Sequence, residues 1–213
     1  MGVQWGKWGD DVPSLGNNAT GVLGFLRSTY DKIVTIAAAV AAATPAGEAH
    51  IGEVGGKIVT PSYTFARPGD TTAYAVGDLI ANSTTAGNVT PLSWACGRAA
   101  GKSFCIRRAR LKRSSTTVTN ASFRLHLYSA SPTCTNGDNA AWLTTQSGYL
   151  GAIDIVCDRV FSDGSEGIGT PVSGSEISAV LAGTTVYGLL EARAGLSPGN
   201  ASTFTVELEV FQN

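Results

Sequence analysis

Hydrophobic positions follow two different periods along this chain, and the change falls near residue 56. Before it, Leu23, Leu26, Tyr30, Ile33, Ala37 and Val40 recur at intervals of 3, 4, 3, 4 and 3. That spacing sets one narrow apolar seam along a helix and invites identical chains to pack there. Thr20 is placed to cap the helix and Pro45 to stop it, so the spacing predicts a helical segment over 19–44 with its body running to about Ala43. Gly21 and Gly24 weaken the first turn. Three heptads that include Tyr and Ala are marginal in isolation, so the segment needs packing, either against copies of itself or as an amphipathic helix lying on its own sheet.

From Lys57 onward the period is two. Tyr63–Phe65, Tyr74–Ile80, Leu92–Cys96, Phe104–Lys112, Phe123–Tyr128, Tyr149–Val156, Val186–Glu191 and Phe204–Phe211 read as eight strands. The late ones are clearest: Phe123, Leu125 and Leu127 alternate with Arg124, His126 and Tyr128, and Phe204, Val206, Leu208 and Val210 alternate with Thr205, Glu207 and Glu209. Each such strand has one face inward and one outward. Asp138 is placed to cap a short helical turn through Trp142 and Leu143. Antiparallel strands without alternating helices predict a mainly β protein, an antiparallel β-sandwich of jelly-roll type. The expected organisation is an extended arm over 1–18, the helix over 19–44, a Gly-rich linker over 45–60 and the β-sandwich over 61–213.

The arm shows neither period. Trp5 and Trp8 stand among glycines, with Pro13 and Asn17–Asn18 closing the segment. The two tryptophans suit anchors in a partner's groove; the alternative is that the arm folds back on its own domain. The apolar run Ile33 to Ala43 resembles the core of a signal peptide but begins far from Met1, and at about eleven residues it is too short to span a bilayer. It reads as helix, in a chain expected to keep its N-terminus and to have no membrane partner.

Composition and charge narrow the function classes. Charged residues make up 15% of the 213, against roughly 25% in ordinary soluble domains, and glycine reaches 26 residues. Such a bland surface suits close packing against other proteins. Residues 1–56 carry three basic and five acidic side chains, net −2, and residues 57–213 carry twelve and eleven, net +1; neither half argues for nucleic acid. The densest charge, Arg107, Arg108, Arg110, Lys112 and Arg113, lacks the interleaved aromatics of a single-strand binder and is expected to form salt bridges or to discourage edge pairing.

Catalytic chemistry finds little footing. With only His50 and His126, and with His126 at an outward strand position without an acid beside it in sequence, a nucleophilic triad has few ways to form. Gly164-Ser165-Glu166-Gly167 lacks the strand-to-helix setting of a nucleophile elbow, and Gly167-Ile168-Gly169 is a lone glycine pair in a loop, too weak for nucleotide binding. Asp154 with Asp158, or Glu207 with Glu209, would serve a glycosidase only if opposed across a cleft. Cys96, Cys105, Cys134 and Cys157 have no metal-ligand spacing; two disulfides and four buried thiols are both open. The sequons at Asn18, Asn82, Asn88, Asn120 and Asn200 read as asparagines in turns. No cofactor, metal or catalytic residue is expected.

The ordered run His50-Ile51-Gly52-Glu53-Val54-Gly55-Gly56, then Ala73-Tyr74-Ala75-Val76-Gly77-Asp78-Leu79-Ile80, the basic strand ending Ala109-Arg110-Leu111, then Phe123-Arg124-Leu125-His126-Leu127-Tyr128, Pro132 and Asp138-Asn139-Ala140-Ala141 resembles a group of tailed-bacteriophage structural proteins. Those carry a Gly-Gly linker, a Y-A-x-G-D strand, an L-H-L-F/Y strand and a D-N-A-A turn, and the likeness covers about residues 48–211. The cysteines and the Arg107–Arg113 strip lie outside that pattern. The resemblance implies a virion component, foremost a capsid decoration or cement protein on the outside of the shell, bound to the major capsid protein and often trimeric. On that reading Trp5, Trp8, Val12 and Leu15 contact the shell, and Leu23, Leu26, Tyr30, Ile33, Ala37 and Val40 join protomers. The alternatives are a tail-fibre or baseplate module with a receptor- or glycan-binding head, and a carbohydrate-active jelly-roll enzyme.

Overall fold

The computed structural model describes residues 29–38 and 56–213, and the chain divides into two units between Val54 and Gly55. In the first unit, residues 29–38 form a helix, α1; the rest of the predicted helix, the arm and most of the linker lie outside the described residues.

The second unit is an antiparallel β protein of twelve strands: β1 (Lys57–Val59), β2 (Ser62–Ala66), β3 (Leu79–Ile80), β4 (Leu92–Ala95), β5 (Ser103–Arg113), β6 (Ser122–Tyr128), β7 (Tyr149–Val156), β8 (Arg159–Phe161), β9 (Gly164–Pro171), β10 (Ile177–Val180), β11 (Thr185–Ala192) and β12 (Thr203–Gln212). Eight of them pair as a nested set, first with last: β2 with β12, β4 with β11, β5 with β9, β6 with β7. A long hairpin wrapped on itself gives this order. Its two sheets, β2-β12-β5-β9 and β4-β11-β6-β7, make the jelly roll that the strand pattern predicts.

Inward side chains of both sheets fill one core. Ala109 and Leu111 of β5 and Phe204, Val206, Leu208 and Val210 of β12 meet Phe123, Leu125 and Leu127 of β6 and Ile153 and Ile155 of β7, all shielded from water. Phe204 stacks on Phe65 with ring centroids 5.4 Å apart and meets Phe123 edge-on at 6.0 Å, a geometry that adds to area burial.

Four strands escape the sequence pattern, and the longest is instructive. β9 joins the sheets by pairing with both β5 and β7. A Cβ at Gly167 would land on the Val156 carbonyl oxygen, and one at Gly169 on that of Asp154. The glycines expected in a loop are therefore strand residues, present because the backbone of β7 leaves no room for a side chain. The segment Tyr74–Ile80 is the opposite case. Only Leu79–Ile80 is strand, Tyr74 makes an isolated bridge to Leu196, and a turn through Gly77 separates the two. Asp138 likewise opens a turn rather than a helical segment.

Candidate functional site

Of the residues assigned by sequence to binding, Tyr30, Ile33 and Ala37 lie on α1, while Trp5, Trp8, Val12, Leu15, Leu23, Leu26 and Val40 lie outside the described residues. On α1 every residue from Tyr30 to Ala38 is exposed. Tyr30 is 67% exposed, Ile33 60%, Val34 47% and Ile36 63%. Exposed apolar patches of this kind are one form that interaction sites take.

The head offers two outer faces of different character. On the β12-β5 face the basic strip is held by acids of the same chain. Lys112 Nζ lies 2.6 Å from Glu207 Oε1, Arg108 Nη2 2.6 Å from Glu209 Oε2, Arg107 Nε 3.1 Å from Glu176 Oε1 and Arg110 Nε 3.5 Å from Glu166 Oε1. A β-bulge at Glu209/Val210 shifts the register so that Arg108 faces Glu209 while Ile106 faces Val210. Arg107 is the extra residue, so two successive arginines point to water instead of one. These exposed pairs contribute about 0.2–1 kcal/mol each, and they leave the strip nearly neutral. Arg113 differs. Its side chain turns inward over Phe123 and Phe204, donates to the Thr117 carbonyl at 3.3 Å and is buried.

The β6-β11 face is roofed. The segments carrying Tyr74–Ile80 and Asp138–Ala141 cross it and knot together. Tyr74 donates its hydroxyl to Asp138 Oδ1 at 2.7 Å, Arg67 donates to Tyr74 Oη at 2.8 Å and to Asp138 Oδ2 at 3.1 Å, and the Ala81 amide donates to Asp138 Oδ1 at 2.8 Å. Burial, then the Asp138 carboxylate, pushes the Tyr74 hydroxyl far above its usual titration range. Main-chain bonds tie the same pieces: Leu79 donates to Ala140, Asn139 to Leu79, and Trp142 to Gly77.

His126 lies beneath this roof. It points outward on its strand and is only 5% exposed. Trp142 stacks on its ring at 4.0 Å. Its Nε2 lies 2.7 Å from Glu191 Oε2 and its Nδ1 3.3 Å from the Tyr149 hydroxyl. A carboxylate only accepts, so Nε2 carries the proton and Nδ1 accepts from Tyr149. Burial lowers the pKa of His126, against the opposing pull of Glu191. The acid partner is invisible in sequence because Glu191 sits 65 residues away on β11; the hint is the run Leu189-Leu190-Glu191-Ala192, apolar on both faces of its strand.

Chemically this cluster is closed. Both ring nitrogens of His126 are engaged, and Arg193 holds the second oxygen of Glu191 at 3.0 Å. Arg124 grips Asp154 through two bonds of 2.6 and 2.7 Å. Its hydrogen bond holds the Asp154 carboxyl below the usual range. The four cysteines are free thiols, and burial pushes Cys96 up to about 12 and Cys157 up to about 11, far from reactive thiolates. Among the described residues no group of three or more His, Cys, Asp or Glu is placed to hold a metal ion. Two sequons serve turns: Asn120 donates to the Gly195 carbonyl at 2.9 Å and Asn82 accepts from the Thr90 amide at 2.8 Å.

No family model matches the chain, and no curated protein matches it either.

Proposed function

We propose that this protein is a non-enzymatic virion component that binds the outside of a bacteriophage capsid and stabilises the shell, with the major capsid protein as its partner. The observation that carries the reading is the contrast between a jelly-roll head that seals its own core and a helix that leaves Tyr30, Ile33, Val34 and Ile36 in water. A chain built this way gains stability by joining something.

The mechanism is mass action. Each copy that binds the assembled shell better than free subunits shifts the equilibrium toward the assembled state. Trp5, Trp8, Val12 and Leu15 supply the anchor, and Leu23, Leu26, Tyr30, Ile33, Ala37 and Val40 hold protomers, three to a cluster, together. Nucleic acid is no partner on this reading, since the basic strip is engaged by Glu166, Glu176, Glu207 and Glu209. The reading calls for no membrane partner. Deleting residues 1–18 abolishes binding to purified shells while the head keeps its β-rich circular dichroism. Full occupancy by the truncated chain contradicts the anchor.

A second reading, a tail-fibre or baseplate module with α1 as a stalk, is favoured by aromatic exposure on the head, 44% at Tyr149 and 49% at Phe161. Copy number per particle separates the two, because decoration repeats over the capsid lattice and tail parts do not.

A further inference from the structure

We infer that the outer edge of the head formed by residues 57–66 is a docking rail for an extended segment of another polypeptide, uncharged along its length and ending in an acid, which joins the sheet as an added strand. The inference deepens the proposed function by naming how a partner is held, and rests on it only for whose segment that is.

Register defines the rail. Lys57 faces Gln212 at one end and Ala66 faces Thr203 at the other, with no slip between β1 and β2, so the two strands form one edge of ten residues along β12. It extends on the order of 30 Å. At the join the Leu208 amide donates to the Pro61 carbonyl at 3.0 Å, and just past β2 the Arg67 amide donates to the Ser202 carbonyl at 3.1 Å. Bonded and unbonded pairs alternate in an antiparallel ladder, so the odd-numbered residues bond to β12. Ile58, Thr60, Ser62, Thr64 and Ala66 turn their amides and carbonyls the other way, and among the described residues no further strand takes them up. All five are exposed.

Sheet edges are normally blunted, and this one is not. The other strands with a single neighbour are short, two residues in β3, three in β8 and four in β4 and β10, which leaves little to pair with. Residues 58–66 include no charged side chain. Pro61 gives no protection, because its carbonyl faces β12 and its nitrogen therefore does too; the donor it lacks is not one of the open side. A row of alternating donors and acceptors repeating every second residue matches another extended backbone. Side chains set the chemistry of that partner. On the outer face they would lie beside the neutral row from Ile58 to Ala66, and on the inner face beside Val59, Pro61 and Tyr63, all half-buried; a charge in either row finds no counterion. Lys57, exposed and in no ion pair among the described residues, suits an acid at the end of the incoming strand. A second copy of this edge holds no acid to offer it, so charge favours a foreign strand.

Residue-resolved amide exchange by nuclear magnetic resonance on the full-length chain tests this, with a decapeptide of alternating Val and Thr ending in Glu as the probe. In the chain alone the amides of Ile58, Thr60, Ser62, Thr64 and Ala66 exchange fast, while those of Val59, Tyr63 and Phe65 are slow. Peptide at millimolar concentration slows the first set about tenfold or more, and the same peptide N-methylated at alternate residues does not. Thr64→Pro removes a donor from the open side only, a change that edge strands tolerate, and weakens peptide binding about tenfold or more. Thr64→Val keeps the amide and binds as the wild type does. Thr60→Lys sets a charge in the neutral row and also weakens binding about tenfold. Five amides already slow in the chain alone, or left fast at millimolar peptide, overturn the inference, as does binding indifferent to both Thr64→Pro and Thr60→Lys. Slowing of the same amides on purified shells supports the shell as the source of the strand. A chain that takes the peptide but never binds shells contradicts the decoration reading and leaves the rail standing; a chain that binds shells while peptide leaves the five amides fast does the reverse.

Discussion

The head and α1 handle apolar side chains in opposite ways. In the head, Phe204, Leu208 and Val210 of one sheet and Phe123, Leu125 and Ile155 of the other are fully shielded by their own chain; on α1, Ile33 and Ile36 are each at least 60% exposed. Burying a side chain of that size stabilises by about 1.5–3 kcal/mol, so the head takes this gain alone while the helix takes it only from a neighbour. The same contrast recurs between the head's two outer faces. Glu207 and Glu209 remain partly exposed while bonded to Lys112 and Arg108, whereas His126 and Tyr128, at equivalent outward positions of β6, are covered. Outward in the sequence pattern means only away from the sandwich core.

The largest effect separating head from helix is expected at Phe204. Phe204→Ala removes a ring packed between Phe65 and Phe123 and lowers head stability by about 3–5 kcal/mol, read from urea midpoints. The oligomer mass of the protein that remains folded should not change. A parallel loss of both would mean that the two regions are one cooperative unit.

Acid tests the roofed face next. The folded pKa of His126 is lowered, first by burial, with Arg124 and Arg193 adding to the effect while Glu191 opposes it. The unfolded chain therefore takes up the proton more readily. The contribution of His126 is complete above its ordinary value of 6.5 and is lost as pH falls through the folded value. Asp154, lowered chiefly by its bond to Arg124, gives a second loss below 3.8. Melting temperature should fall first through the histidine step, together with a tryptophan fluorescence change that Trp142→Phe abolishes. A flat profile above pH 4 would leave the roof without a titrating group.

Ala201 gives a smaller effect of opposite sign. Its φ of 47° lies in the left-handed region, which costs a residue with a Cβ about 1–2 kcal/mol, so Ala201→Gly should raise the unfolding free energy by up to about that amount, read as a higher urea midpoint. The least effect is expected on the open face, where Lys112→Ala should cost about 0.5 kcal/mol or less, with the deficit shrinking in high salt.

Much of the fold was legible because alternation in β6 and β12 is clean and both strands are long. β9 was not, since its Gly164-Ser165-Glu166-Gly167-Ile168-Gly169 run has no apolar face; its glycines answer to the backbone of β7, which only the folded state brings near. The roof was half legible. Arg124, His126 and Tyr128 grow more apolar along β6, a sign of increasing cover, but Glu191 and Trp142 reach His126 only through tertiary pairing. The basic strip read as salt-bridged or as a guard against edge pairing; Arg107, Arg108, Arg110 and Lys112 are salt-bridged, Arg113 turns inward instead, and the doubling of Arg107 and Arg108 on one face needed the bulge. The helical period was legible over 29–38, where the heptad spacing predicts helix and α1 is one.

Titrating the purified full-length protein onto emptied shells and imaging them tests whether this chain works by joining an assembly. The account predicts saturable density repeating over the outer capsid lattice, lost when residues 1–18 are removed. Bare shells at saturating protein, with the protein found only at the tail or cleaving a glycan, would contradict it.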